Sequence, residues 1–241
     1  MAKTIIAIGG GDLYNNETLS IDEYVVKCAN KSIPKLLFIP TASGEPQGYI
    51  DAIQHIYGEK LGCMVDVLKI LTEQPTKDEV REKILSADII YVGGGNTAKM
   101  METWKKWNID EYLRQAYNNG IVLSGMSAGS ICWFESGHSD SFLKETGEYC
   151  IVNGLGIIPN LHCPHYNQRP EFDEFMKKVK NTIALAIEDK CAIVFQDGYY
   201  KIIKSDDSAK VFLFVNKNGV VKKRVIDNVE FVSVNELEIY S

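Results

Sequence analysis

Short apolar runs alternate with amphipathic segments along the first half of the chain. Five of these runs predict buried strands, at residues 4–8, 35–39, 64–68, 88–92 and 121–123. Segments with apolar residues at helical spacing separate them, at residues 20–29, 48–61, 77–87, 99–107 and 109–119. This alternation predicts a mostly parallel sheet covered by helices on both faces, because parallel strands need long crossover connections. In sheets of this kind ligands bind beyond the carboxyl ends of the strands, so the loops after strands are the places to search for function.

The second half of the chain carries a stronger strand signal. Residues 170–190 are predicted to form one helix, and residues 191–195 and 199–203 are predicted to form strands joined by a turn. From residue 210 onward apolar and polar positions alternate, with a turn signal at residues 217–219. This pattern is typical of antiparallel strands.

The composition is that of an ordinary globular protein and argues against several functional classes. The length of 241 residues suits a single α/β domain, with a core at about residues 1–203 and a β extension at about residues 204–241. The net charge is −6 and the basic residues are not clustered, so we expect no nucleic-acid partner. No apolar stretch is long enough for a membrane span or a signal peptide, so we expect no membrane partner. Six cysteines without CxxC spacing predict reduced thiols and a cytoplasmic location, and we expect no metal or organic cofactor.

The segment most suggestive of chemistry is Gly125-Met-Ser-Ala-Gly129, which lies between an apolar run and a helix-compatible run at residues 130–134. This is the strand, sharp turn and helix pattern of a nucleophile elbow, G-x-S-x-G. Glycines two residues before and two residues after Ser127 let the strand and the helix approach closely. The Ser127 hydroxyl would then be exposed at the turn, where the backbone N–H of Ala128 can stabilise an oxyanion. The alternative is a glycine-rich turn that contains a serine by chance.

Two further glycine-rich loops follow predicted strands. Gly93-Gly-Gly95 exposes backbone N–H groups beside a helix start, which suits either the second half of an oxyanion hole, formed by Gly94 or Gly95, or a phosphate cradle. The alternative is a plain turn capped by Asn96. For Gly9-Gly-Gly11 we favour a tight turn that allows close approach of another backbone, because the G-x-G-x-x-G pattern is absent.

A serine nucleophile needs a histidine from another part of the chain. His162 and His165 are the candidates, and His165, directly after a proline, has the better loop position. His55 falls inside a predicted helix, and His138 lies close to the nucleophile in sequence. An orienting acid is expected at the end of a strand, which is the position of Asp197. Asp197 is followed by glycine, however, and from the residues alone a hairpin turn is favoured there.

Three motifs in the same order resemble the peptidase E family of serine peptidases, family S51. They are residues 92–97 (Val-Gly-Gly-Gly-Asn-Thr), 124–129 (Ser-Gly-Met-Ser-Ala-Gly) and 163–165 (Cys-Pro-His). The family includes α-aspartyl dipeptidases and, more distantly, cyanophycinases. The resemblance extends from the first strand to about residue 203. It implies a flavodoxin-like three-layer sandwich similar to the class I glutamine amidotransferase domain, with serine in place of the nucleophilic cysteine.

The resemblance also implies roles for individual residues. Ser127 matches the family nucleophile and His165 matches the family base. The backbone N–H groups of Gly94 or Gly95 and of Ala128 match the oxyanion hole.

Two carboxylates are candidates for the acid that orients His165. Asp197 resembles the acidic residue after a late strand in the family, and we rank it first because it ends a strand. Asp140 resembles an aspartate in the loop after the nucleophile helix, and it would otherwise organise that loop or bind the substrate amine.

The substrate implied by the resemblance is a small peptide, and the better-known family members cleave dipeptides with an N-terminal aspartate. A cation should receive the aspartate carboxylate, and Arg169 is the candidate, while Asn96 is a second candidate for substrate contact. We expect a monomer or a homodimer. Two other functions stay open: a non-catalytic module that binds a small ligand or a partner protein, and an esterase or acyltransferase.

Overall fold

The computed structural model describes residues 2–237, which form fourteen strands and eight α-helices. The strands are β1 (Thr4–Ile8), β2 (Lys35–Ile39), β3 (Met64–Val67), β4 (Ile89–Val92), β5 (Val122–Met126), β6 (Phe134–Ser139), β7 (Cys150–Asn153), β8 (Ile158–Cys163), β9 (Thr182–Ile187), β10 (Cys191–Gln196), β11 (Tyr199–Lys204), β12 (Val211–Lys217), β13 (Val220–Ile226) and β14 (Val232–Ser233). The helices are α1 (Leu19–Cys28), α2 (Gln47–Ile53), α3 (Lys77–Ser86), α4 (Thr97–Trp107), α5 (Ile109–Asn118), α6 (Ala128–Ile131), α7 (Leu143–Thr146) and α8 (Phe172–Lys178). Helix α2 continues as a π-helical segment over Gln54–Lys60.

Eight strands of the described range form the first sheet, in the order β14-β11-β10-β1-β5-β4-β2-β3. The five strands β1, β5, β4, β2 and β3 run parallel to one another. Each of β10, β11 and β14 pairs antiparallel with the strand before it on the way out from β1. Strand β1 lies in the middle, where Ile8 is opposite Met126 of β5 on one side and Ala192 of β10 on the other. The predicted α/β class is therefore confirmed, and the carboxyl end of β1 is central.

A second sheet of six strands, in the order β13-β12-β9-β8-β6-β7, was not predicted from the sequence. Strands β6, β8 and β9 are parallel neighbours, and β12 and β13 form an antiparallel hairpin beside β9. The carboxyl ends of these parallel strands therefore lie at the same end of the sheet. Residues that follow β8 and β9 are therefore held close to each other.

The hydrophobic core lies on both faces of the first sheet. On one face the sheet packs against α1 and α2, through residues such as Val25 and Ile53. On the other face the core joins α3, α4 and α5 with residues of the second sheet, among them Leu185 and Leu213. The layered arrangement agrees with the expected flavodoxin-like sandwich, with the second sheet added on one side.

A carboxyl group is buried in the layer that contains α1. Asp22 is 1% exposed and accepts hydrogen bonds from the hydroxyls of Tyr57 at 2.6 Å and Thr18 at 2.9 Å. Burial raises the pKa of Asp22 to about 7, and the two hydrogen bonds oppose that rise. The carboxyl group therefore titrates near neutral pH.

The prediction of one helix over residues 170–190 is wrong. The chain forms the short helix α8 and then strand β9, in which residues 184–187 are all 0% exposed. Alanine, leucine and isoleucine in this stretch are compatible with a helix or with a buried strand. The stretch is a strand because it forms hydrogen bonds with the neighbouring strands β8 and β12. The helix after Ser127 is also shorter than predicted, because β6 already begins at Phe134.

The predicted β extension is confirmed as antiparallel strands, but they do not form a separate layer. Strands β12 and β13 complete the second sheet, and β14 pairs with β11 in the first sheet. Residues 1 and 238–241 of the predicted domain lie outside the described residues. No helix between residues 2 and 237 combines the length and the apolar character needed to cross a membrane.

Candidate active site

Three separate segments of the chain are hydrogen-bonded to the backbone at the carboxyl end of β1. The consecutive carbonyls of residues 8–10 accept hydrogen bonds from the backbone N–H groups of Ser127 at 3.2 Å, His165 at 3.1 Å and Lys190 at 2.9 Å. Asp189 directly precedes Lys190 in sequence. The loops that follow β5, β8 and β9 are thus attached to one short stretch of backbone.

Ser127 lies on a strained turn between β5 and α6. Its dihedral angles are φ 57° and ψ −116°, outside the regions that non-glycine residues normally adopt. A Cβ atom on Gly125 would lie 2.2 Å from the carbonyl oxygen of Gly129, and one on Gly129 would lie 2.0 Å from that of Val92. The glycines are therefore needed for close packing of strand and helix, as the elbow pattern predicts.

His165 forms a hydrogen-bonded pair with Asp189. The Nδ1 atom of His165 lies 2.6 Å from Oδ1 of Asp189. An ionised carboxylate only accepts hydrogen bonds, so Nδ1 carries the proton and Nε2 is left as an acceptor. The side chain of His165 is 27% exposed, so solvent reaches this ring.

Two further side chains hold Asp189 in place through three hydrogen bonds. Its Oδ2 atom accepts hydrogen bonds from Nδ2 of Asn167 at 3.2 Å and from Nε2 of Gln168, and its backbone N–H donates to Oδ1 of Asn167 at 3.0 Å. Burial acts to raise the pKa of Asp189, but the hydrogen bonds and the interaction with His165 outweigh it and lower the pKa below the usual value. Asp189 is therefore ionised at neutral pH.

The glycine-rich turn after β1 packs directly against this pair. A Cβ atom on Gly10 would lie 1.9 Å from Oδ1 of Asp189 and 2.3 Å from Nδ1 of His165. One on Gly9 would lie 2.2 Å from the carbonyl oxygen of Glu188. The interpretation of this turn as a site of close backbone approach agrees with the structure.

The loop after β4 lies beside Ser127. A Cβ atom on Gly94 would be 3.3 Å from Cβ of Ser127, and the backbone N–H of Gly94 donates to the Tyr49 hydroxyl at 3.3 Å. Gly95 has φ 137°, and a Cβ atom there would lie 2.2 Å from the carbonyl oxygen of Ala42. The N–H of Ala128 has no acceptor within residues 2–237.

Asp197 does not contact His165, and the sequence-based ranking of this acid is wrong. Asp197 lies in the tight turn between β10 and β11, where its Oδ1 accepts the backbone N–H of Lys3 at 3.0 Å. Because β10 runs antiparallel to β1, this turn lies at the start of β1. The carboxylate is at the opposite edge of the sheet from Ser127, and the hairpin interpretation of the sequence applies.

Asp140 and Asn96 lie near each other in the loops after β6 and β4. Asp140 is exposed, and none of the hydrogen bonds in the described range involves its carboxylate, so it does not hold His165. Oδ1 of Asn96 accepts the N–H of Lys99 at 2.9 Å, and its Nδ2 donates to the carbonyl of Ser141 at 2.7 Å. Asn96 therefore caps α4 and joins the two loops, which occupies both polar atoms of its side chain.

Arg169 is buried instead of facing solvent. It is 4% exposed, its Nη1 donates to the carbonyl oxygen of His138, and its guanidinium lies 5.0 Å from the ring centre of Tyr149. Burial and the charge of Arg169 lower the pKa of His138 to about 3, so His138 is neutral. His162 is also buried and contacts Ser130, which leaves His165 as the histidine paired with a carboxylate near the elbow.

Asp189 is the functional candidate that sequence reasoning missed. Treating residues 170–190 as one helix placed Asp189 within a helix, although it follows the apolar stretch of β9. A strand interpretation of residues 182–187 would have put Asp189 at a strand end, where an orienting acid is expected. Within residues 2–237, no group of three His, Cys, Asp or Glu side chains is arranged to hold a metal ion.

Comparisons with known proteins find relatives among peptidases. Residues 5–203 match the profile of peptidase family S51. The uncharacterized peptidase YgaJ of Bacillus subtilis is 34% identical over 216 residues, which are 87% of this chain and 91% of that protein. Peptidase E of a Nostoc species is 23% identical over 174 residues, 69% of this chain and 66% of that protein.

Two solved structures share the fold. A peptidase from an acI-B1 actinobacterium matches with a TM-score of 0.75 and 19% identity, over 97% of each chain. A putative peptidase E protein from Listeria monocytogenes matches with a TM-score of 0.64 and 21% identity, over 85% of this chain and 99% of that one. At these identities the likeness concerns the fold.

Proposed function

The chain belongs to peptidase family S51, and from that premise we propose that it hydrolyses small peptides through an acyl-enzyme formed on Ser127. The single observation that carries this proposal is the hydrogen bond between His165 and Asp189 at the same strand end that binds Ser127. It fixes the proton on Nδ1 and leaves Nε2 ready to accept the proton of a serine hydroxyl.

The reaction proceeds in two halves. Oγ of Ser127 attacks the peptide carbonyl carbon while Nε2 of His165 takes the hydroxyl proton, and the carbonyl oxygen becomes an oxyanion. His165 then returns the proton to the leaving amine as the C–N bond breaks, which leaves an ester on Ser127. In the second half, His165 takes a proton from the water that attacks this ester and returns it to Oγ of Ser127 as the acid product leaves. Asp189 stabilises the imidazolium in each half.

The oxyanion is stabilised by backbone N–H groups. The N–H of Ala128 is unengaged within residues 2–237, and Gly94 lies beside Ser127. The hydrogen bond from Gly94 to Tyr49 is long, at 3.3 Å between neutral groups. A charged oxyanion is a stronger acceptor than a phenol, so the Gly94 N–H turns toward it when it forms.

Selectivity for an N-terminal aspartate is the narrower version of the proposal. It requires a cation that a substrate carboxylate can reach. Arg169 is 4% exposed and already bound to the carbonyl of His138, which argues against this role for Arg169. We therefore propose small peptides as the substrate class, without a preference set by Arg169.

A panel of Xaa-Leu dipeptides, with and without N-terminal aspartate, tests the proposal against the Ser127→Ala variant. We expect cleavage of several dipeptides and its loss in the variant. Cleavage confined to Asp-Leu would establish the aspartyl version. Hydrolysis of activated esters without any peptide cleavage would indicate an esterase, and no turnover by a correctly folded protein would favour the non-catalytic binding module.

A further inference from the structure

A second serine–histidine pair is buried behind the elbow. Ser130 and His162 are both 0% exposed, and Oγ of Ser130 lies 2.8 Å from Nε2 of His162. Nδ1 of His162 lies 2.9 Å from the carbonyl oxygen of Leu185 on β9, and its ring stacks on Phe134 with 4.5 Å between centroids. The reaction above does not use this pair, and buried polar side chains are costly unless they are hydrogen-bonded.

The pair contacts the backbone of the nucleophile itself. Oγ of Ser130 donates to the carbonyl oxygen of Ser127 at 2.7 Å. The same oxygen accepts the N–H groups of Ser130 at 2.9 Å and Ile131 at 3.0 Å. Three donors thus converge on the carbonyl of a residue whose positive φ angle is strained, and they hold that peptide in one orientation.

The direction of this carbonyl determines the direction of the next N–H group. The carbonyl of Ser127 and the N–H of Ala128 belong to one planar trans peptide, so they point in opposite directions. A carbonyl held toward Ser130 therefore turns the Ala128 N–H in the opposite direction, toward the N-terminal end of α6. This agrees with the lack of an acceptor for that N–H within the described residues.

The hydroxyl of Ser130 has one proton, which it shares between two acceptors in a three-centre hydrogen bond. Nδ1 of His162 must donate to the Leu185 carbonyl, and burial lowers the pKa of His162 to about 3, so the neutral ring accepts at Nε2. The single hydroxyl proton of Ser130 thus faces two acceptors, His162 and the carbonyl of Ser127. Strand β8, which leads into His165, is thereby tied to the elbow.

We propose that Ser130 and His162 are positioning residues that hold the Ser127 peptide so that the Ala128 N–H faces the developing oxyanion. This inference rests on the proposed function of Ser127. The pair acts through Ala128 and does not touch the substrate. Its loss should weaken binding of the transition state more than binding of the substrate.

The test compares Ser130→Ala with Ser124→Ala. Ser124 is also 0% exposed, lies three residues before Ser127, and its hydroxyl has no hydrogen-bond partner within residues 2–237. Both changes remove one buried hydroxyl, but only Ser130 contacts the elbow carbonyl. We expect Ser130→Ala to lower kcat and the rate of fluorophosphonate inactivation about tenfold, while KM and the pH dependence of kcat stay unchanged. Ser124→Ala should remain within twofold of the wild type.

Two further variants of Ser130 make the result decisive. Ser130→Thr keeps the hydroxyl and should recover most of the lost rate. If Ser130→Ala does not fold by circular dichroism, Ser130→Cys, whose thiol is only a weak donor, replaces it and should also lower kcat. Equal rates for Ser130→Ala and Ser124→Ala, or a change in KM alone, would overturn the inference. A wild type that reacts with neither peptide nor fluorophosphonate would instead refute the proposed function.

Discussion

Replacing Asp189 by asparagine should nearly abolish peptide hydrolysis. In the folded protein Oδ2 of Asp189 faces donors from Asn167 and Gln168, and Oδ1 faces His165. The amide of an asparagine at position 189 would satisfy the two donors best with its oxygen in the Oδ2 position. Its NH₂ group would then point at Nδ1 of His165, which forces the ring proton onto Nε2.

A histidine with the proton on Nε2 cannot accept the proton of Ser127. The variant also removes the negative charge of the Asp189 carboxylate, which lies 2.6 Å from Nδ1 of His165 and stabilises the imidazolium. The equivalent change in a Ser-His-Asp relay lowers kcat by about 10⁴-fold, or roughly 5.5 kcal/mol in the barrier. We expect a loss of this size, with substrate affinity little changed.

The assay is steady-state hydrolysis of a cleaved dipeptide, with Asp197→Asn and Asp140→Asn as matched controls. Both controls remove one carboxylate of the same chemistry at positions that do not contact His165. We expect them to stay within about threefold of the wild type. If Asp189→Asn kept most of its activity, or if Asp197→Asn lost as much as Asp189→Asn, the assignment of the acid would be refuted.

Three further predictions concern packing, titration and specificity. Gly10→Ala should lower kcat about 100-fold or more, because the added Cβ would displace the histidine–carboxylate pair, whereas Gly58→Ala, with 3.5 Å to its nearest neighbour, should not. Asp22 should contribute a decrease of roughly 4 kcal/mol to the free energy of unfolding between about pH 4 and pH 7, because the folded protein keeps the Asp22 proton until its raised pKa while the unfolded chain loses it near 3.8. The buried histidines His138 and His162, whose pKa values are lowered, contribute in the opposite direction, so the decrease is measured as the difference in urea titrations between the wild type and Asp22→Asn. A difference that does not change with pH would contradict the effect of burial on Asp22. Arg169→Gln should lower the free energy of unfolding by about 1–3 kcal/mol without changing the ratio of kcat/KM for Asp-Leu and Ala-Leu, and a changed ratio would restore Arg169 as a substrate contact.

The elbow and the first strands could be predicted because their signals are local. Apolar runs of four or five residues define β1 and β2, and the two glycines around Ser127 reflect a contact between residues four positions apart and contacts with the adjacent β4. These features depend on short-range sterics, which the order of residues expresses directly.

The second sheet and the acid could not be predicted because they depend on contacts between distant segments. Residues 182–187 suit a helix or a strand by composition, and only the pairing with β8 and β12 decides between them. Asp189 meets His165 across 24 positions of sequence because β8 and β9 end side by side. The hydrogen bonds of Arg169 and Asn96 could not be predicted for a related reason, since a sequence does not show whether a polar side chain is exposed or already bonded.

Mass spectrometry of the protein after reaction with a fluorophosphonate tests directly whether Ser127 is the nucleophile. We expect a single adduct on the peptide that contains Ser127, with the adduct absent in Ser127→Ala and formed far more slowly in His165→Ala. No adduct on the folded wild type, or an adduct that persists in Ser127→Ala, would contradict Ser127 as the nucleophile.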